Sequence, residues 1–326
     1  MPVWFTQAEV RICIVMEDAM QTEQEKRIFA RKGYICRGMV GEGAFSRVYC
    51  LEDGHTQNVL ACKVSRQEDL LEREARIMSK FFHPLFPKYF GMWQEAGQAF
   101  LLMEYVPGST VEAFLKRRGS FGMRAAVRIG MELAGGLRTL HENREPYVFR
   151  DVKPANCMIR QDGRVKLLDF GCACPMGERG LSRAGTPGFA APEQLRKDEI
   201  LTAACDIYGW GKTMESIIGL KEAQPLRDAG GCLQTAKKGR KASAARKGNL
   251  CREWKEWEEW KERKGMESIR QLLEMCTCGL ASGRIPDMRG IIEVLMSLCP
   301  EQEEHLRHKR IFWQEGIRSD KNIIMM

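Results

Sequence analysis

The chain has 326 residues, 44% of them hydrophobic, and a net charge of +8, enough apolar material for two small domains or one bilobal domain with a substantial core. Residues 221–264 hold 13 Lys and Arg against 7 Asp and Glu, so most of the excess charge sits in one segment and the near-neutral remainder does not suit a nucleic-acid-binding surface. The 13 cysteines are scattered, with only Cys172-Ala-Cys174 and Cys276-Thr-Cys278 as close pairs, which suits reduced thiols in a cytoplasmic protein better than a disulfide framework or a zinc site.

In chain order, residues 1–32 are expected to precede the fold as an N-terminal extension. Val3 to Met16 is apolar but interrupted by Glu9 and Arg11 and lacks a preceding basic region, so neither a secretion signal nor a membrane span is expected. Gln21 to Lys32 is helix-permissive, either a short helix on the following domain or a loosely ordered start. From Gly33 the pattern changes to strands. Tyr34–Met39, Ser46–Leu51 and Asn58–Val64 alternate or run apolar with β-branched and aromatic residues, and Glu52-Asp-Gly-His55 reads as the turn of a meander. Glu68–Phe82 has helical period, with Leu70, Leu71, Ala75, Ile77 and Met78 on one stripe. His83-Pro84 stops it, and strands follow near Lys88–Trp93 and Ala99–Val106. Beyond Pro107-Gly108, a hinge-like pair, the spacing predicts helices over Thr110–Lys116 and Arg124–His141. A further helix is expected at Met288–Leu298.

Several motifs lie on these elements. Gly41-Glu42-Gly43-Ala44-Phe45-Ser46-Arg47-Val48 joins the first two strands, and its small residues permit backbone amides to approach phosphates closely. Val59-Leu-Ala61-Cys-Lys63 puts a lysine on the third strand. Phe149-Arg150-Asp151-Val-Lys153-Pro-Ala-Asn156 combines a carboxylate acceptor, a flexible cation and a neutral oxygen donor suited to a hard metal. Val165-Lys-Leu-Leu-Asp169-Phe-Gly171 reads as a short strand ending in a turn, and Gly185-Thr186-Pro187-Gly188-Phe189-Ala-Ala191-Pro192-Glu193 follows.

Together and in this order, the motifs resemble those of the eukaryotic-like (Hanks-type) serine/threonine protein kinases, of the kind bacteria also carry. The resemblance implies an α+β bilobal fold over residues 33–300. Its small lobe, 33–106, would hold an antiparallel sheet and a helix, and its large lobe, 107–300, would be mostly helical, with the basic insert near 221–264 and a tail at 301–326. It implies ATP and Mg2+ as cofactors and protein Ser/Thr hydroxyls as acceptors. Asp151 would take the hydroxyl proton, Lys153 would contact the transferred phosphate, and Asn156 and Asp169 would hold metal. Lys63 would reach the phosphates and pair with Glu74, with Glu72 as the alternative. Residues 41–46, Val48, Ala61, Met103, Met158 and the backbones of Glu104 and Val106 would line the nucleotide site.

Asp206 would anchor the catalytic-loop backbone and Arg284 would pair with Glu193. Ser182 is the candidate phosphate acceptor in the activation segment, with Arg150 as its partner, and Thr186 would contact Asp151 and Lys153. Two departures stand out: Ser46 replaces the third glycine of the loop, and Phe149 replaces the usual histidine, where it would stack on Phe170. They keep open a pseudokinase-like nucleotide-binding module and, more distantly, a small-molecule kinase. The basic loop 237–248, with Ser243, and the helix-spaced Trp254, Trp257 and Trp260 are either a solvated surface or a dock for an acidic partner.

Overall fold

A computed structural model describes residues 22–179, 185–196, 199–220 and 265–298. Two compact units divide the chain at Pro107 and Gly108, with His83–Leu85 belonging to the second.

The first unit is built on a five-stranded antiparallel sheet of order β1-β2-β3-β5-β4, from β1 (Tyr34–Glu42), β2 (Ser46–Asp53), β3 (Val59–Ser65), β4 (Tyr89–Glu95) and β5 (Gln98–Glu104). Directly paired residues share a face: Tyr49 lies opposite Cys62 and Cys62 opposite Leu102, while Val48 lies opposite Lys63. The Tyr49 face, with Leu51, Val64 and Phe100, forms one core with Ile28 and Phe29 of a helix, α1, over residues 22–31. Part of the segment expected ahead of the fold therefore packs on the sheet. Phe29 meets Tyr49 and Phe100 edge-on, with centroids at 5.3 and 5.8 Å. Burying its ring and the Ile28 side chain contributes roughly 1.5–3 kcal/mol each.

β1 runs to Glu42 instead of stopping at Met39: its pairing with β2 shifts register at Cys36/Gly38 and Met39/Gly41, with Gly38 at φ +140°, and continues to Glu42 opposite Arg47. α2 (Glu68–Lys80) buries Leu71, Glu74, Ala75, Ile77 and Met78 and ends two residues before the expected Phe82, where Phe81 turns extended.

The second unit is mostly helical: α3 (Val111–Arg118), α4 (Met123–His141), α5 (Ala203–Ile217), α6 (Gly265–Cys276) and α7 (Met288–Leu298). Thr110 is the N-cap of α3, its Oγ1 accepting from the Ala113 amide at 3.0 Å. Trp210 of α5 is fully buried and donates to the Gly130 carbonyl of α4 at 2.9 Å. A Cβ at Gly130 would stand 3.2 Å from that indole. Short strands frame the loops between these helices. β6 (Gly108–Thr110), β8 (Cys157–Arg160) and β9 (Val165–Leu167) form one sheet, and β7 (Tyr147–Val148) pairs with β10 (Cys174–Pro175). Of these two-to-four-residue strands β9 matches the short strand expected from Val165, while β6, β7, β8, β10 and α6 have no counterpart among the elements read from the sequence. Among the described residues, no helix is long and apolar enough to cross a membrane. Ser182, the basic loop with Ser243, the three tryptophans and the tail lie outside the described residues.

Candidate active site

In the first unit, the hairpin of β1 and β2 carries the glycine-rich loop. Gly41 and Glu42 end β1, Ser46 opens β2, and the Gly43 amide donates to the Ser46 carbonyl at 2.8 Å. This tight turn leaves Phe45 68% exposed at its tip. The Phe45 carbonyl accepts from the Ser65 hydroxyl at 2.7 Å, which ties the loop to the end of β3. The register puts Val48 across from Lys63, and Ala61 between Cys50 and Met103. Lys63 Nζ meets Glu74 Oε2 at 2.6 Å, with both side chains largely buried. Glu72 instead accepts from Gln94 at 2.7 Å. Of the two candidate glutamates, the helix phase turns Glu74 to the lysine. The Glu104 amide donates to the Lys88 carbonyl at 2.8 Å, and Val106 is buried.

In the second unit, Asp151 is 6% exposed and its carboxylate is fully engaged. Oδ1 accepts from the Thr186 amide at 3.1 Å and the Thr186 hydroxyl at 2.7 Å. Oδ2 accepts from Lys153 Nζ at 2.7 Å and from the Asn156 amide at 3.0 Å. Lys153 Nζ also reaches Thr186 Oγ1 at 2.6 Å, closing a three-way contact. Asn156 Nδ2 makes a second bond to the Asp151 carbonyl at 3.0 Å, so its donors face the loop and its carbonyl oxygen is the end left for a ligand. Met158 lies on β8, two residues beyond Asn156. Asp169 is exposed, sits in the left-handed region at φ +71°, and accepts from the Gly171 amide at 3.2 Å. Phe149 and Phe170 meet edge to face at 5.2 Å and are both fully buried.

The family described as "Protein kinase domain" matches residues 34–294. The chain belongs to the protein kinase family. It is 29% identical over 180 residues to the human cAMP-dependent protein kinase catalytic subunit PRKX, covering 53% of this chain and 50% of that protein. It is 31% identical over 165 residues to the human putative serine/threonine-protein kinase PRKY, covering 48% and 59%. With an Aurora kinase of Eremothecium gossypii it shares 29% over 192 residues, covering 56% and 52%. The chain thus spans about half the length of the curated relatives it matches.

The loop that carries Asp151 is held by α5. Asp206, fully buried, accepts from the amides of Phe149 and Arg150, both at 2.7 Å, and bonds His141 Nε2 at 2.8 Å. Arg150 takes φ +71° there, a conformation that costs energy and persists only where its surroundings enforce it. Thr213 donates to the Val152 carbonyl at 3.1 Å, and Gln194 Nε2 to the Arg150 carbonyl at 2.8 Å. Arg284 grips Glu193 bidentately at 2.5 and 3.0 Å beneath the Tyr208 ring. Burial alone would lift the Glu193 carboxyl, but the Arg284 hydrogen bond and charge, with a backbone hydrogen bond and the Cys205 thiol, together more than offset that and leave it below the usual range. Burial, with the Asp151 and Asp169 charges nearby, pushes the Cys172 thiol up to about 11, which makes it a poor nucleophile. His141 and Gln194 escape the motif reading. Neither belongs to a short pattern, and their partners lie 65 and 44 residues away.

The donor chemistry suits magnesium. An amide oxygen at Asn156 and a carboxylate at Asp169 are hard oxygen ligands, and the backbone places them together, since the Leu168 amide donates to the Asn156 carbonyl at 2.8 Å.

Proposed function

We propose that this kinase transfers the γ-phosphate of ATP to serine or threonine hydroxyls of protein substrates. The observation that carries the proposal is the Asp151 carboxylate held from both sides by Lys153, Asn156 and Thr186. Bound Mg-ATP supplies the transferable phosphoryl group and the metal charge that offsets it. The chain's own residues contribute position and proton transfer. Oδ2 is fixed by Lys153 and Asn156, so Oδ1 is the atom to which an acceptor hydroxyl passes its proton, displacing one of the Thr186 contacts. Lys153 stays tethered to Oδ2 and can follow the phosphoryl group.

The relatives named as serine/threonine or cAMP-dependent kinases support the choice of acceptor, as does the Lys153-Pro-Ala-Asn156 run. Autophosphorylation at Ser182 or Ser243, an acidic partner at the basic insert, and a bacterial cytoplasmic setting are parts of the same proposal. They rest on the sequence features described above.

The test is incorporation of labelled phosphate from Mg-ATP into generic protein acceptors by the wild type and Asp151→Asn. Label on serine or threonine in the wild type, reduced by at least about a thousandfold in the variant, is the expected result. Nucleotide binding with no transfer by either protein would favour the binding-module reading that Ser46 and Phe149 leave open.

A further inference from the structure

The carboxylate of Glu25 is fully buried in the core of the first unit, in a helix that precedes the family match at residue 34. It lies beside the apolar core formed by Ile28, Phe29, Tyr49 and Phe100. It accepts from Arg47 Nη1 at 3.1 Å, from Gln98 Nε2 at 2.7 Å and from the Tyr49 hydroxyl. Taking a carboxylate out of water costs several kcal/mol, and a leucine in the same place would incur no such cost. Stability alone therefore gives no reason for an acid here.

The position of Arg47 supplies one. Arg47 directly follows Ser46, whose carbonyl closes the glycine-loop turn with the Gly43 amide. Its guanidinium reaches Glu25 on one side and, at 3.9 Å, Glu42 on the other. Glu42 ends β1 and Arg47 is the second residue of β2, so this one guanidinium spans both strands at the root of the loop. Arg47 and Tyr49 point to the α1 face, while Val48 between them points to the opposite face, which carries Lys63. Burial, and then the bond to Glu25, pushes the Tyr49 hydroxyl up to about 12, so it remains a donor.

We propose that Glu25 is a positioning residue for the glycine-rich loop: through Arg47 it holds the loop root in the geometry that receives nucleotide phosphates. The inference rests on the kinase reading of that loop.

The experiment uses the full chain as wild type, Glu25→Gln, Arg47→Met, their double variant and Phe29→Leu. For each, KM for Mg-ATP and kcat in phosphate transfer are measured, with the Kd of Mg-ATP from equilibrium titration and the melting temperature. Losing a hydrogen bond between charged groups, partly transmitted to the loop, is expected to raise KM and Kd about fivefold to tenfold in Glu25→Gln and change kcat less than about twofold. Arg47→Met should match it, and the double variant should be no worse than either single variant. Phe29→Leu, which loosens the same helix without touching the carboxylate, should lower the melting temperature and leave KM unchanged.

A Glu25→Gln protein that melts earlier yet binds nucleotide like the wild type would overturn the inference, as would additive effects in the double variant. Should Glu25→Gln not fold, Arg47→Lys decides: it keeps one charge contact but cannot span both acids, so an unchanged KM in that variant also overturns the inference. A wild type that bound no nucleotide would sink the kinase reading as well, whereas failure confined to the variants sinks only the role of Glu25.

Discussion

Asp206 shows how much one side chain can organise. Its two oxygens take three donors, two of them consecutive backbone amides of the loop that carries Asp151. In Asp206→Asn one oxygen becomes an NH2 group facing an N–H donor, and the negative charge beside His141 is lost. With the side chain fully buried, the unfolding free energy is expected to fall by about 3 kcal/mol. Phosphate transfer should fall too at temperatures where the variant is still folded, because Arg150 no longer has its φ +71° enforced. Chemical denaturation alongside the transfer assay checks both. A variant as stable as the wild type would mean that the amides find other partners.

At the scale of elements, α4 is read correctly from periodicity to within one residue at its start, yet periodicity does not show what two adjacent glycines in it do. A Cβ at Gly136 would lie 1.9 Å from Leu85 Cδ2, and Leu85 is buried and pinned by the Leu167 amide on its carbonyl at 2.6 Å. Gly135 faces nothing within 4 Å. Gly136→Ala is therefore expected to destabilise by about 1–3 kcal/mol through overpacking. Gly135→Ala should stabilise by up to about 1 kcal/mol through helix propensity. Urea unfolding of the two variants should move in opposite directions. The same distinction applies to α1 and α2: their helical character is legible in composition and spacing, but the choice of Glu74 over Glu72, and the partners of Glu25, depend on which face meets the sheet.

For the molecule as a whole, the pH dependence of stability depends on a residue that marks only a helix stop in the sequence. Burial, with Lys166 and Arg138 nearby, pushes His83 down to about 4. Its Nδ1 accepts from the Leu85 amide at 3.1 Å, a bond that protonation would remove. The unfolded chain takes up a proton near pH 6.5 that the folded chain refuses until about pH 4, so stability falls as pH drops through that window. The loss between pH 7 and pH 5 should be about 2 kcal/mol. His83→Asn should flatten the profile over that range, as measured by denaturant midpoints. The Glu193 carboxyl, held below its usual range by Arg284, adds a further loss at lower pH, below about 4.5.

The sequence by itself determined the family, the two-part α+β plan and which residues are candidates for the site. Phosphoryl transfer needs particular atoms at short, ordered spacings along loops and strands, and Gly41 to Val48, Lys63, Asp151 to Asn156 and Asp169 carry that order directly. Tertiary structure selected Glu74, the glutamate the motifs favoured, over Glu72 for Lys63, and it alone decided other long-range partners: His141 on Asp206, Gln194 on Arg150, Leu85 against Gly136, and Glu25 on Arg47, Tyr49 and Gln98. These contacts join residues up to 73 positions apart. They depend on helix phase and sheet face, which become definite only when the elements bury one another, so no local pattern in the chain records them.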